Sequence, residues 1–372
     1  MGLLEIARDF AVANWDNAIM WVIGGILIYL AIKKDMEPTL LLPMGFGAII
    51  VNLPGSAIAA DGGIIRILYD CGIANEFFPL VLFIGIGAMI DFGPLLEKPW
   101  LMLFGAAAQF GIFVTLVLAG LFFDLPDAAS IAVIGAADGP TAIFVANTLG
   151  SKYLGAIMVA AYSYMALVPI VQPPVIRLCT TKKERLIRMP YQKGSVSKTT
   201  KILFPIVVTM LAGLVAPASV ALVGFLMFGN LLRECGVLNA LSETAQNVLA
   251  NLITIVLGLT VAGQMTADKF VRPDTLLILA LGLVAFIFDT AGGVFFAKLL
   301  NLFLPEGKKI NPMIGAAGIS AFPMSGRVVN QMGLAEDNQN FLLMYSISVN
   351  VSGQIASVIA GGLILTLMSS CV

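Results

Sequence analysis

The sequence contains no histidine, and only 12% of its 372 residues are charged. Without imidazole, metal centres built on two or three histidines are excluded, and any proton step must run through carboxyl, phenol, lysine or water. Four cysteines, Cys71, Cys179, Cys235 and Cys371, lie far apart with no CxxC pair. They define neither a zinc site nor a disulfide framework. A net charge of −1 removes a nucleic-acid function resting on a basic surface. The N-terminus carries Glu5, Arg8, Asp9 and Asp16 and lacks the basic-then-apolar order of a cleaved signal peptide. The first apolar span is therefore expected to stay in the mature protein.

What is present is apolar. Hydrophobic residues make up 59% of the chain and mean hydropathy is +0.96, whereas soluble domains run near 45–50% apolar. A water-surrounded core cannot absorb that much apolar surface, so the fold class expected is an all-α polytopic membrane protein. Apolar runs lie near residues 17–32, 39–53, 77–91, 100–123, 128–149 and 153–177. After a polar stretch they resume near 200–216, 218–232, 245–263, 274–304, 311–333 and 340–368. Crossing hydrocarbon takes roughly 20 apolar residues, so the shorter runs must borrow neighbours, tilt little or be discontinuous.

One stretch stands out, Ile134-Gly135-Ala136-Ala137-Asp138-Gly139-Pro140-Thr141-Ala142-Ile143-Phe144. It sets a carboxylate before two helix breakers in an apolar segment. In hydrocarbon a broken backbone survives only where it lines a cavity or is buried in protein. An acid there is a candidate functional group, and it is also placed to cap a helix starting near Pro140.

The stretch recurs as Ile314-Gly315-Ala316-Ala317-Gly318-Ile319-Ser320, with Gly318 standing 180 residues after Asp138. Gly45-Phe46 is matched by Gly224-Phe225, and Asn52 is echoed by Asn230. The chain reads as a duplication, a mark of transporter-type folds. Each half offers six segments, and the fifth carries the Gly/Pro-broken motif both times. Re-entrant fifth segments leave five crossings per half, hence two inverted repeats, about ten transmembrane helices and two re-entrant hairpins with broken helices. The first repeat is read as 1–185, a basic cytoplasmic connector as 186–200 and the second, inverted repeat as 201–372.

Charge sets the orientation. Residues 177–201 hold Arg177, Lys182, Lys183, Arg185, Arg188, Lys193, Lys198 and Lys201 against Glu184 alone, which places this loop in the cytoplasm. Counting crossings puts the acidic N-terminus outside and both Lys33-Lys34 and Lys308-Lys309 inside. The first hairpin then enters from outside and the second from the cytoplasm. Residues 54–76, with Asp61, Arg66, Asp70 and Glu76, read as an interfacial helix and loop on the outer face.

Carboxylate, carbonyl and hydroxyl oxygens are the ligands of hard cations, so Asp138 with Thr141 and nearby carbonyls is a candidate sodium or proton site. Tyr162 and Tyr164 lie two apart, so at most one is expected to face the bundle interior comfortably. Arg327 is either a snorkelling cation or a clamp for an anion. Asn350, Ser352, Gly353, Gln354 and Ser357 crowd one helix with polar groups, as helix–helix glue or as cation ligands. Asp289-Thr290 and Gln264 are further polar intrusions.

Gly135-Ala-Ala-Asp138-Gly-Pro-Thr-Ala-Ile-Phe, with Asn311-Pro-Met-Ile-Gly315-Ala-Ala-Gly-Ile-Ser320-Ala-Phe-Pro-Met-Ser-Gly-Arg327, resembles the beta subunit of the biotin-dependent, sodium-pumping decarboxylases. Members act on oxaloacetate, methylmalonyl-CoA, glutaconyl-CoA or malonate. The resemblance covers nearly the whole chain and departs from it at Ala136, where several members carry a second glycine. The chain is shorter than the oxaloacetate type, mainly towards the N-terminus, which points to the acyl-CoA branches. The resemblance implies decarboxylation of carboxybiotin, coupled to Na+ export with uptake of one external proton. It carries functional positions onto Asp138, Tyr164, Asn311, Gly315, Ser320, Arg327 and Asn350. Asp138 and Asn350 would hold Na+, Ser320 and Tyr164 a second ion or proton position, and Arg327 would lie near the carboxybiotin with Asn311 and Gly315. The partners implied are a biotin carrier subunit, a carboxyltransferase alpha subunit, a small single-span membrane subunit and further copies of the chain, in a prokaryotic inner membrane. A sodium-coupled secondary transporter of a small organic anion, without chemistry, shares the same duplicated architecture.

Overall fold

In hydrocarbon every backbone amide must find a partner within its own segment, which leaves helix as the accessible form for these apolar runs. The computed structural model describes residues 15–34, 36–191 and 194–369, and among them helix is the only regular structure. Glu5, Arg8, Asp9, Lys193 and Cys371, used in the sequence argument, lie outside the described residues.

The first half runs through α1 (Trp15–Lys34), α2 (Pro38–Val51), α3 (Ile64–Gly72), α4 (Phe77–Met89), α5 (Met102–Ala108) and α6 (Phe110–Ala119). It continues with α7 (Leu125–Ala132), α8 (Gly139–Thr148) and α9 (Leu154–Cys179). The second half has α10 (Lys198–Val215), α11 (Val220–Glu234), α12 (Ala250–Ala262), α13 (Pro273–Phe303), α14 (Met324–Glu336) and α15 (Leu343–Ser369).

Among the described residues, seven helices are long and apolar enough to cross a membrane: Trp15–Lys34, Pro99–Ala119, Leu154–Cys179, Lys198–Val215, Asn239–Ala262, Pro273–Phe303 and Leu343–Ser369. The chain is thus a polytopic membrane protein. The other three expected spans, α2, α4 and α11, have 14, 13 and 15 residues, short of the roughly 20 that a full crossing takes. They pair with one another's halves, α4 on α11 and α2 on α12. The short helix α3 is bent 68° from α4 and carries the exposed pair Arg66–Asp70, in keeping with a surface-lying element.

Side-chain contacts sort the connections into two ends. At the basic end the connector is tied by Arg185–Glu336 at 2.6 Å, Arg188–Asp337 at 2.5 Å and Glu184–Lys298 at 3.2 Å. Lys201 joins it to Asp91 at 3.2 Å. At the opposite end Lys152 meets Asp124 at 2.7 Å, Asn147 donates to Glu76 at 3.1 Å, and Asn52 donates to the Met265 carbonyl at 2.7 Å.

These contacts establish both hairpins. The first begins after Asp124 and ends just before Lys152, its ion-pair partner, so it enters and leaves at one end. The second is held by Arg185 at both ends: Asn311 donates to the Arg185 carbonyl and Glu336 accepts from the Arg185 guanidinium. The hairpins enter from opposite ends and meet inside, where the Ser320 amide donates to the Ala136 carbonyl at 2.9 Å. The echoed asparagines sit at reciprocal places too. Asn52 reaches past the end of α12 while Asn230 donates to the Ile90 carbonyl past the end of α4, at 2.9 Å.

One expectation fails. Tyr162 and Tyr164 are both buried, at 1% and 7% exposure. Helix α9 is packed by α8, α13 and α14 on several sides, so side chains two apart both meet protein.

Candidate functional site

The site forms where both hairpins turn. After α7 the chain tightens into a 3₁₀ turn, Val133–Ala136, and Ala137 takes a left-handed φ of 52°. Few L-residues sit there without surrounding constraint. Asp138 follows in extended conformation as the N-cap of α8, with Pro140 in the first helical turn. The Thr141 amide donates to Asp138 Oδ1 at 3.4 Å, so the capping role is present.

Capping involves only one oxygen. Asp138 Oδ2 accepts from Thr141 Oγ1 at 2.8 Å, Ser357 Oγ at 2.8 Å, Ser320 Oγ at 3.1 Å and Gln354 Nε2 at 3.3 Å. The donors come from the first hairpin, the second hairpin and α15. Asp138 is 3% exposed and none of these partners carries charge. A carboxylate so enclosed calls for one positive charge, a monovalent cation or a proton, to offset its desolvation. Among the described residues no group of three or more His, Cys, Asp or Glu side chains converges. The donor set is one acid among hydroxyls, amide and backbone.

A cavity of about 210 Å³ leads to this carboxylate. It runs from Glu37 and Asn251 to Asp138, Tyr162, Ser320 and Gln354. Glu37 caps α2 with φ 37°, directly after the basic end of α1. Burial pushes its carboxyl up, against the opposing charge of Arg327.

The residues singled out from sequence divide into two groups. Asp138 and Ser320 are brought into contact, and Thr141, Gln354 and Ser357 join them. Asn350 is fully buried and donates to the Ile319 carbonyl at 2.7 Å, one residue before Ser320, without touching Asp138. Tyr164 donates its hydroxyl to the Leu279 carbonyl on α13, while it is Tyr162 that lines the cavity. Asn311 lies at the basic end, its amide nitrogen donating to the carbonyls of Arg185 and Ile187 at 2.9 Å each. Gly315 packs the second hairpin on α13, where an added Cβ would fall 2.0 Å from the Gly293 carbonyl oxygen. Arg327, in the first turns of α14, is exposed, and among the described residues no hydrogen bond or salt bridge engages its guanidinium.

Ser357 and Gln354 join the site from the polar stripe of α15, and two residues not singled out in the sequence, Gln172 and Gln109, hold the second hairpin, Gln109 Nε2 donating to the Gly318 carbonyl at 3.5 Å. The spacing 350, 354, 357 follows one helical stripe, which was the available signal. Gln172 donates to the Ala316 carbonyl and to Ser325 Oγ at 2.7 Å each, fastening the second hairpin to α9.

The family described as Na+-transporting oxaloacetate decarboxylase beta subunit matches residues 16–368. Glutaconyl-CoA decarboxylase subunit beta of Acidaminococcus fermentans is 47% identical over 371 residues, covering 99% of this chain and 98% of that one. Methylmalonyl-CoA decarboxylase subunit beta of Propionigenium modestum is 46% identical over 380 residues, covering 95% of each. The oxaloacetate decarboxylase beta chain of Klebsiella pneumoniae is 45% identical over 411 aligned residues, covering 94% of each. That alignment is longer than the 372 residues of this chain, so the oxaloacetate relative carries insertions within the matched region.

Proposed function

The chain belongs to the family of Na+-transporting oxaloacetate decarboxylase beta subunits, and on that premise we propose that it decarboxylates carboxybiotin and couples this to Na+ export and uptake of one external proton. The observation that carries the reading is the Asp138 carboxylate, buried where both hairpins turn and served only by uncharged donors.

With Na+ or with a proton the site is neutral overall. Bare, it leaves an isolated anion in a low-dielectric interior, which is strongly disfavoured. That asymmetry favours exchange of one cation for another over simple release. The cavity beginning at Glu37 lies at the basic end, which the charge bias assigns to the cytoplasm. It supports Na+ loading from the cytoplasm onto Asp138, Ser320, Ser357 and Thr141. The reciprocal pairing of α2 with α12 and α4 with α11 supports inverted repeats over 1–185 and 201–372, joined by a cytoplasmic connector at 186–200.

Arg327 suits an anionic group: it is exposed, has no salt bridge among the described residues and is electrostatically linked to Glu37 beside the cavity. Carboxybiotin, when bound, supplies a carboxyl group that leaves as CO2 once its ureido nitrogen is protonated. Arg327 would orient that carboxylate through its planar fork. In this reading Tyr164 and Ser320 serve proton or ion transfer, Asn350 serves Na+, and Asn311 and Gly315 hold the second hairpin in place. The carrier, a carboxyltransferase alpha subunit, a small single-span subunit and further copies of this chain are the partners, in a prokaryotic inner membrane. The near one-to-one length match with the glutaconyl-CoA relative supports an acyl-CoA donor.

Two assays test this. Purified chain given free carboxybiotin should release CO2 faster with Na+, and proteoliposomes should move Na+ during the reaction. Sodium-coupled uptake of an organic anion with no CO2 release would instead establish the secondary transporter.

A further inference from the structure

Two carboxyl groups line the cavity, one at each end. Asp138 lies at the inner end and caps α8 through the Thr141 amide. Glu37 lies at the mouth, on the basic end, and takes the N-cap position of α2 without capping it. Among the described residues no salt bridge engages its carboxyl either. Its backbone is held at φ 37° and ψ 57°, a left-handed conformation that a glutamate rarely adopts and that packing must enforce. The residue is half-buried, so an unused carboxyl stands at the entrance to the ion path. Arg327 on α14 is the charge that acts on it. Lys33 and Lys34 are exposed at the end of α1, and Asp35 lies outside the described residues. The neighbours that line the cavity from α4, α12 and the second hairpin, among them Met89, Asn251, Thr254 and Phe322, carry no charge.

We propose that Glu37 is the acid that protonates the ureido nitrogen of carboxybiotin, with Arg327 holding the departing carboxylate beside it. This rests on the reading that the chain decarboxylates carboxybiotin. Loss of CO2 breaks the bond between the carboxyl carbon and the nitrogen and leaves its electron pair on nitrogen. Glu37 gives that nitrogen its proton and is left as a carboxylate. The other groups are less suited. The Arg327 guanidinium keeps its proton in proteins. The Tyr164 hydroxyl is committed to the Leu279 carbonyl, and Tyr164 does not line the cavity. No lysine lines it, and the chain has no histidine. A carboxyl pushed up by burial is the group that can hold a proton and still release it.

Glu37 and Arg327 act as a pair. The guanidinium opposes the effect of burial on Glu37. An anion seated on Arg327 cancels that opposing charge, so substrate binding favours the protonated acid. Departure of CO2 frees Arg327, which then favours the carboxylate just formed. The cavity also supplies the return path. Its volume of about 210 Å³ has room for several waters between Glu37 and Asp138, and Thr254, Tyr162 and Gln354 along it offer polar partners. The external proton exchanged for Na+ at Asp138 thereby reaches Glu37 and restores the acid for the next turnover.

The test compares the purified full chain with Glu37→Gln, which keeps the shape but has no acidic proton to give. Three quantities are measured: CO2 release from free carboxybiotin at saturating Na+, binding of radiolabelled Na+, and the carboxyl band in infrared spectra as pH is varied. Glu37→Gln is expected to slow CO2 release by roughly 100-fold or more and to leave Na+ affinity unchanged. Wild-type release should fall as pH rises through the Glu37 pKa, since only the protonated acid serves, and Glu37→Gln should lose that fall. A protonated-carboxyl band should titrate over the same pH range in wild type and be missing from Glu37→Gln. A wild-type rate in Glu37→Gln, or no such band, would overturn the proposal. So would weakened Na+ affinity with an unchanged rate at saturating Na+, which would make Glu37 a ligand for entering Na+. If Glu37→Gln does not insert, Glu37→Asp decides, a displaced alkaline fall supporting the acid and an unmoved one refuting it. Wild type that releases no CO2 from carboxybiotin would instead refute the decarboxylase reading itself.

Discussion

The two hairpins start from the same Gly-Ala-Ala pattern and turn in the same place, yet the first carries Asp138 where the second carries Gly318. In the first, the side chain at the turn gathers ligands: one carboxylate oxygen collects Thr141, Ser320, Gln354 and Ser357. In the second, the backbone itself comes close to its neighbours. A Cβ on Gly318 would fall 2.7 Å from both Ala108 Cβ and the Phe104 carbonyl oxygen, so that turn has no room for a side chain. It offers carbonyls and the hydroxyl of Ser320 instead. Duplication supplied two equivalent breaks, and close packing left only one of them able to hold a charge.

Exchanging the two turn residues is the most severe way to break that comparison. Asp138→Gly combined with Gly318→Asp should abolish sodium-dependent decarboxylation and lower the yield of inserted protein, since the added carboxylate meets α5 backbone. Retained activity would show that the turns are interchangeable. Next in size, Arg327→Lys keeps the charge but loses the bidentate fork, and should reduce kcat/KM for free carboxybiotin by roughly 10- to 100-fold. Na+ binding should be unchanged, and full activity would leave Arg327 a snorkelling residue. Ser357→Ala removes one of four donors to Asp138 Oδ2 and should weaken the apparent Na+ affinity by about 2- to 10-fold. The smallest functional effect is expected at Arg185, which ties both ends of the second hairpin but lies far from the carboxylate. Arg185→Ala should lower stability in detergent by about 1–3 kcal/mol, because it leaves Glu336 and its own partners partly buried and unpaired. Its Na+ affinity should stay near wild type, and a large affinity change would mean that the hairpin ends help shape the site.

Much of this was legible in the sequence, for physical reasons. Gly139-Pro140 after Asp138 must break a helix, and a break in hydrocarbon must be buried, so the centre of the site could be located without coordinates. The second hairpin and Ser320 followed from the repeat. Gln109 escaped notice because nothing beside it breaks a helix: Ala108 and Phe110 flank it, and the break exists only in the folded chain. Tyr162 and Tyr164 were misjudged because helix periodicity says which face a residue takes, not how many faces neighbours cover. Asn350 was set beside Asp138 by resemblance, whereas the chain places it against Ile319, one residue from Ser320.

The central claim, that the Asp138 carboxylate is the ion-carrying group, is tested most directly by decarboxylation rate against Na+ concentration in proteoliposomes. Asp138→Asn should insert and assemble yet show neither Na+ transport nor Na+-dependent decarboxylation. Asp138→Glu should retain at most weakened affinity, because the extra methylene displaces the oxygens in a close-packed site. A normal Na+ dependence in Asp138→Asn would contradict the account, leaving Asp138 as the cap of α8 and placing the ion site elsewhere.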